Sequence, residues 1–282
     1  MIVDAHHHVW DPATREHEWL AALPSLRRRF SVADYVAASG PHGVTASVLV
    51  QVLASTAETE DFLALADSSD GPVAGVVGWV DLTSPAAADE IDRLRGRPGG
   101  HRLVGLRHLV QSEPDPAWLE RPDVLRGLAA AGRAGLVYDL LVRPGQLAAA
   151  IGTAAGRPEV RFVLDHGGKP DIAAGRLQPW AGLVRELARL PNVSCKLSGL
   201  VTEAGPGWTA AAIAPFAGHL LDCFGPERLI FGSDWPVCTA AASYGEVLKL
   251  ARSVLDRLGP VEQAAVLGGN AAAVYRLDLP AA

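Results

Sequence analysis

Near-continuous apolar runs punctuate the chain at residues 2–5, 44–52, 73–80, 103–110, 136–142, 160–164, 193–197 and 229–231. After a first interval of 42 residues they begin 24 to 36 residues apart. They do not alternate with polar positions, which is how strands covered on both faces of a parallel sheet read. Helix signals fill the gaps. Ser84-Pro85 offers an N-cap and a proline for the first turn. Gln178-Pro179 opens a segment with Leu183, Leu187 and Leu190 at helical spacing. Over 243–258, Val247, Leu250, Ala251, Val254, Leu255 and Leu258 form one stripe that stops at Gly259-Pro260. The long first connection, 9–43, holds Trp10, Pro12, Trp19, Pro24 and Tyr35. It is expected to carry a short helix over 31–39 and to lie across one barrel face. Eight strand–helix units predict an α/β fold, a (β/α)8 TIM barrel, as a single domain over 1–282; such barrels run to about 250 residues. A doubly wound sheet is the poorer reading, because no GxGxxG turn follows a strand.

Composition narrows the function classes. Of 282 residues 49% are hydrophobic and 20% charged, enough apolar surface for a large core. The net charge of −6 argues against a nucleic-acid or anionic-membrane partner. Cys195, Cys223 and Cys238 are an odd, scattered set without CxxC spacing, as expected of reduced thiols. No stretch of 18 apolar residues is present, and residues 1–6 lack a signal-peptide profile. The expectation is a cytoplasmic protein, monomer or homodimer, that acts on a small molecule.

Polar residues at the carboxyl ends of barrel strands face the site. The first run ends in Asp4-Ala5-His6-His7-His8, where period two puts His6 and His8 on one face and His7 on the other. Later runs end at Gln51, at Trp79 and Asp81, at Arg107-His108, at Asp165-His166-Gly167-Gly168-Lys169, at Lys196-Leu197-Ser198 and at Ser233-Asp234-Trp235, with Tyr138-Asp139 inside the fifth. A lone H-x-H is more often structural than ligating. Here His166 and Asp234 at two other strand ends complete a set suited to a divalent metal. The chain has three lysines against 22 arginines, yet Lys169 and Lys196 both sit at strand ends, which favours a site role for at least one. His17, His42, His101 and His219 read as surface or packing groups. Cys195 and Cys238 lack a paired base for nucleophilic work.

The motifs 4–11 (DAHHHVWD), 105–108 (GLRH), 164–170 (LDHGGKP), 195–200 (CKLSGL) and 231–236 (FGSDWP), with the tail 270–277, resemble the amidohydrolase superfamily. More closely, they resemble the amidohydrolase-2 group of metal-dependent TIM-barrel hydrolases that includes sugar lactonases. The resemblance implies His6, His8, His166 and Asp234 as ligands of one divalent ion, Zn²⁺ by preference. It makes Asp234 the general base, with His166 and Lys196 catalytic. Arg107, His108 and Gln51 become candidates for holding substrate oxygens, and Trp10 and Trp235 for stacking on a sugar face. Many relatives present a strand-four lysine or glutamate and a strand-five histidine, which Arg107-His108 and Tyr138-Asp139 do not supply, so a mononuclear site is expected. Metal-independent activity stays open, since some lactonases of the group need no metal. The implied reaction opens a sugar-acid lactone, such as an aldonolactone, by attack of activated water. Beside it stand non-oxidative decarboxylation of an aromatic acid, and a catalytically silent barrel with a binding role.

Overall fold

The apolar runs become eight strands in the computed structural model, which describes residues 1–68 and 71–279: β1 (Ile2–His7), β2 (Val44–Val50), β3 (Val73–Gly78), β4 (Leu103–His108), β5 (Val137–Leu140), β6 (Arg161–Leu164), β7 (Val193–Leu197) and β8 (Leu229–Phe231). They pair in parallel in sequence order. Backbone bonds from Asp234 N to His6 O (2.8 Å) and from His8 N to Trp235 O (2.7 Å) draw β8 against β1 and all but close the barrel. The sheet is therefore the (β/α)8 arrangement that the sequence predicts.

Between the strands run α1 (Val32–Ser39), α2 (Thr56–Ser68), α3 (Ala87–Arg95), α4 (Pro122–Arg133), α5 (Leu147–Ala155) and α6 (Trp180–Leu187), then α7 (Leu200–Ala204) and α8 (Ala210–Phe224), and after β8 α9 (Tyr244–Leu255), α10 (Pro260–Ala264) and α11 (Asn270–Tyr275). Ser31 and Ser243 cap α1 and α9 in reciprocal boxes with Asp34 and Glu246, satisfying backbone donors that would otherwise be orphaned. The Ser84 expectation is off by a turn. Ser84 Oγ accepts from Ala86 N in a tight turn, and α3 starts only at Ala87.

Two apolar layers result. Val3, Ala5, Val48, Val50, Val77, Val137, Val163 and Ile230 fill the barrel interior with small side chains, and Ala271 and Tyr275 of α11 close it from below. A larger layer lies between strands and helices. The excursion 9–43 folds back on itself through paired Trp10–Phe30 backbone bonds (2.8 and 3.0 Å), and packs Trp10 edge-to-face with Trp19 and Phe30 beside the mouth. Among the described residues no helix is long and apolar enough to cross a membrane.

Candidate active site

Above the aliphatic filling the interior turns ionic. Strand alternation carries Arg107, Asp139 and Lys196 inward, and Asp165 joins them at the end of β6. Lys196 Nζ lies 2.5 Å from Asp139 Oδ2, 2.9 Å from Asp165 Oδ1 and 3.1 Å from His6 Nδ1. All of these side chains are fully buried. A dry charge is tolerable only when it is paired, which this layer achieves through its ion pairs. Burial alone would raise Asp165; Lys196, His6 and Arg107 outweigh it and hold the carboxyl well below the ordinary range. Asp139 is pushed up to about 6 by burial, against the pull of Lys196, and accepts from Tyr275 Oη at 2.8 Å.

Arg107 commits four of its five N–H groups to protein oxygens. Nε and Nη2 bond Gln51 Oε1 (3.2 and 2.9 Å), Nη2 also bonds Gln51 O (2.5 Å), and Nη1 bonds Asp165 Oδ2 (3.0 Å) and faces His6 Nε2 (3.1 Å). It lines the cavity as a fixed positive charge.

Over this layer Asp234 Oδ1 faces three imidazole nitrogens: His8 Nε2 at 3.6 Å, His6 Nε2 at 3.8 Å and His166 Nε2 at 3.9 Å. Each ring is oriented from behind. His8 Nδ1 bonds Val50 O (2.7 Å), His166 Nδ1 bonds Ser198 Oγ (2.9 Å), and Lys196 stands behind His6 Nδ1. Two glycines let the rings seat. A Cβ at Gly199, which also has φ +66°, would fall 2.6 Å from His166 Nδ1, and one at Gly232 2.7 Å from His6 Cβ. Burial lowers His166 to about 4 and, with Lys196 beside it, takes His6 well below its usual value. Asp234 goes the other way: burial would raise it, but the facing His166 and His8 rings prevail and lower it. The result is an ionised carboxylate facing three imidazole rings, two of them, His6 and His166, disfavoured as cations.

These donors fit a divalent cation. His6, His8 and Asp234 offer ligand atoms within 4.8 Å of one another. Zn–N bonds of 2.0–2.1 Å in a tetrahedron put donors about 3.3–3.4 Å apart, close to the observed 3.2 Å between His6 Nε2 and His8 Nε2. His8 Nδ1–H on a carbonyl directs the Nε2 lone pair toward Asp234, the outer contact typical of ligating histidines.

The cluster floors a cavity of about 250 Å³ at the barrel mouth, lined by His8, Trp10, Arg107, His166 and Asp234 from the expected set. Other expected residues lie elsewhere. His108 follows inward Arg107 and so turns outward, bonding Trp79 Nε1 (3.0 Å) and Glu113 (2.7 Å) and stacking on Trp118. Trp235 is 4% exposed and packs edge-on against Phe30, so it is wall. Gln51 grips Arg107, and Lys196 lies beneath His6; neither lines the cavity. Sequence reasoning gave no role to the rim residues Trp19, Gln111, Thr202 and Glu203, which stand in helical turns of three to five residues too short to show periodicity, and it singled out Lys169 by its rarity and its place at a strand end.

A parallel barrel with paired inward histidines on β1, a histidine after β6 and an aspartate after β8 defines a class, and the sequence model of the amidohydrolase family matches residues 3–277. The chain belongs to that family. It is 39% identical to the L-fucono-1,5-lactonase of Burkholderia ambifaria over 283 residues, covering 99% of this chain and 96% of that one. It is also 39% identical to the L-fucono-1,5-lactonase of Burkholderia multivorans over 294 residues, covering 99% and 97%. Among solved structures, a Burkholderia multivorans amidohydrolase with bound zinc superposes with a TM-score of 0.91 at 38% identity, covering 98% of this chain and 99% of that one.

Proposed function

We propose that this chain, one amidohydrolase-type domain, opens the lactone ring of a sugar acid by adding water to the ring carbonyl. The observation that carries the reading is the carboxylate of Asp234 set among three imidazole nitrogens at the floor of the mouth cavity. The near-full-length likeness to L-fucono-1,5-lactonases supports the substrate class.

Asp234 holds the attacking water and takes its proton, a role for which it is ionised and positioned among the ring nitrogens. His166, bonded to Ser198 and 3.9 Å from Asp234, orients that water and relays a proton to the departing ring oxygen. Arg107 is held by Gln51 and Asp165, so it steadies the negative charge that develops on the carbonyl oxygen chiefly through its field. Lys196, Asp139 and Asp165 hold His6 in orientation from below.

His6, His8 and Asp234, with His166 beside them, would hold one divalent cation, and the imidazole–carboxylate donor set favours Zn²⁺. When bound, the ion supplies Lewis-acid polarisation of the carbonyl and acidifies water. The test is a panel of aldonolactones with acid release followed, alongside elemental analysis of the purified protein. Turnover above the spontaneous rate is expected on at least one 1,5-lactone. Failure on every member, with and without added Zn²⁺ or Mn²⁺, would overturn the reading.

A further inference from the structure

The cavity rim carries polar atoms that the fold leaves unsatisfied. Trp19, Gln111 and Thr202 line it, and in each the polar side-chain atom, Nε1, Oε1 or Oγ1, is buried with no hydrogen-bond partner among the described residues. Folded proteins seldom leave buried donors and acceptors unpaired, and such groups reject a ligand that cannot pair them. Beside them Lys169 Nζ meets Glu203 Oε1 at 3.0 Å, both half-buried on the cavity wall. An ammonium has three hydrogens and Glu203 takes one. A carboxylate accepts at two oxygens.

The backbone that presents Lys169 is unusual. His166, Gly167, Gly168 and Lys169 are four successive residues with positive φ (53°, 57°, 74° and 53°). Non-glycine residues with positive φ among the described residues are His166, Lys169, Asp234 and Arg276, and the first three line this cavity. Holding lysine there costs about 1 kcal/mol or more, a cost that concentrates at ligand contacts. A cation needed only at the surface has no reason to be held this way.

We infer that Lys169 and Glu203, with Thr202, Gln111 and Trp19, form a hydroxyl-reading rim that sets which stereoisomer of lactone is accepted. The inference rests on the lactonase reading and deepens it. The ammonium and indole N–H donate, the Glu203 carboxylate and Gln111 amide oxygen accept, and Thr202 does either. Adjacent secondary hydroxyls on a ring match such an array because each both donates and accepts. Lys169 and Glu203 follow neighbouring strands, β6 and β7, so together they read two neighbouring hydroxyls.

The experiment measures kcat and KM across aldono-1,5-lactones that differ in configuration at one hydroxyl, for wild type, Glu203→Gln, Lys169→Met and the double variant. Circular dichroism and melting temperature check the fold of each. The expected result is that each single variant compresses the spread of kcat/KM across the panel by at least tenfold, chiefly through KM. The double variant should add little, since the two residues act as one unit. A uniform fall across the panel carried by kcat, or a spread that stays as wide as in wild type, overturns the assignment. A wild-type protein inactive on the whole panel overturns the lactonase reading, and this one with it, before any variant is compared.

Discussion

Asp4 and the cavity rim are both buried polar regions within the same barrel, and they are built on opposite rules. At the β1–β8 seam Asp4 is fully buried and accepts five hydrogen bonds: from Ser233 Oγ (2.6 Å), Ser233 N (2.8 Å), Tyr35 Oη (3.0 Å), Tyr244 Oη (3.0 Å) and His6 N (3.2 Å). Those donors come from β1, α1, α9 and the loop after β8, so one carboxylate ties four elements beside the site. At the rim, Trp19, Gln111 and Thr202 present buried polar atoms with no protein partner. Complete satisfaction marks a group that serves the fold, and incomplete satisfaction at a cavity wall marks one that awaits a ligand. Asp234 stands between the two regions, supported by the seam backbone yet aimed into the cavity.

The sharpest way to break this contrast is at Asp234. Asp234→Asn keeps the shape of the side chain and removes its capacity to take a proton. Lactone turnover should fall by at least about a hundredfold, the scale of a lost general base, with the melting temperature moved by only a few degrees. Retained activity would remove Asp234 from the chemistry. A collapse of the fold would put it with Asp4 instead.

Asp4→Asn should do the reverse. Whichever way the amide lies, its NH₂ confronts hydrogens that now point at the carboxylate: three hydroxyls at Oδ2, or two backbone N–H groups at Oδ1. Stranding two or more buried donors costs about 3–5 kcal/mol. For a domain of this size that lowers the melting temperature by on the order of 10 °C, measurable by calorimetry at fixed pH. An unchanged melting temperature would show that satisfaction at the seam is incidental.

How much of this was legible beforehand follows from the physics of each signal. A strand covered on both faces must be apolar throughout, so all eight were visible as runs, and the parallel barrel with them. Period two put His6 and His8 on one face, and the same rule, had it been applied to β4, sets Arg107 inward and turns His108 outward. The ionic layer was only half legible. Asp139 and Lys196 stand in separate runs, and nothing local shows that they meet at 2.5 Å. The rim was illegible, because Thr202 and Glu203 owe their place to a five-residue helix, α7, that begins where the Gly199 backbone turns left-handed. Lys169 was flagged by scarcity and by its place at a strand end, clues that say nothing of its partner Glu203.

Glu58 sharpens the comparison by separating bonding from charge. Its Oε2 accepts from Val52 N (2.8 Å) and Leu53 N (2.9 Å), just beyond Gln51, so its bonds are made. Burial nonetheless pushes its carboxyl up to about 7, against those two backbone bonds. A folded value above the ordinary 4.5 means that the folded state binds the proton more tightly. The associated stability is present in full below pH 4.5 and lost as pH rises through 7. Glu58→Gln can keep both bonds at Oε1 and cannot ionise. The variant should match wild type near pH 4 and exceed it by up to about 3 kcal/mol at pH 8, read as the difference between denaturant midpoints across pH. A constant difference at all pH values would refute the charge argument.

The smallest effect belongs to Thr202→Val, an isosteric change at an atom with no protein partner. A hydroxyl that serves the fold loses about 1 kcal/mol or more when replaced in this way, because a hydrogen bond goes with it. Thr202 has no such bond to lose, and an added methyl against the apolar side of the rim even favours the folded state. Stability should therefore stay within about 0.5 kcal/mol of wild type, or rise. The deficit should surface in lactone binding instead, as a several-fold increase in KM with kcat held. The two readouts move in opposite senses for a ligand-facing group and together for a structural one. A Thr202→Val protein that melts early and binds normally would return this residue, and the rule drawn from Asp4, to the fold.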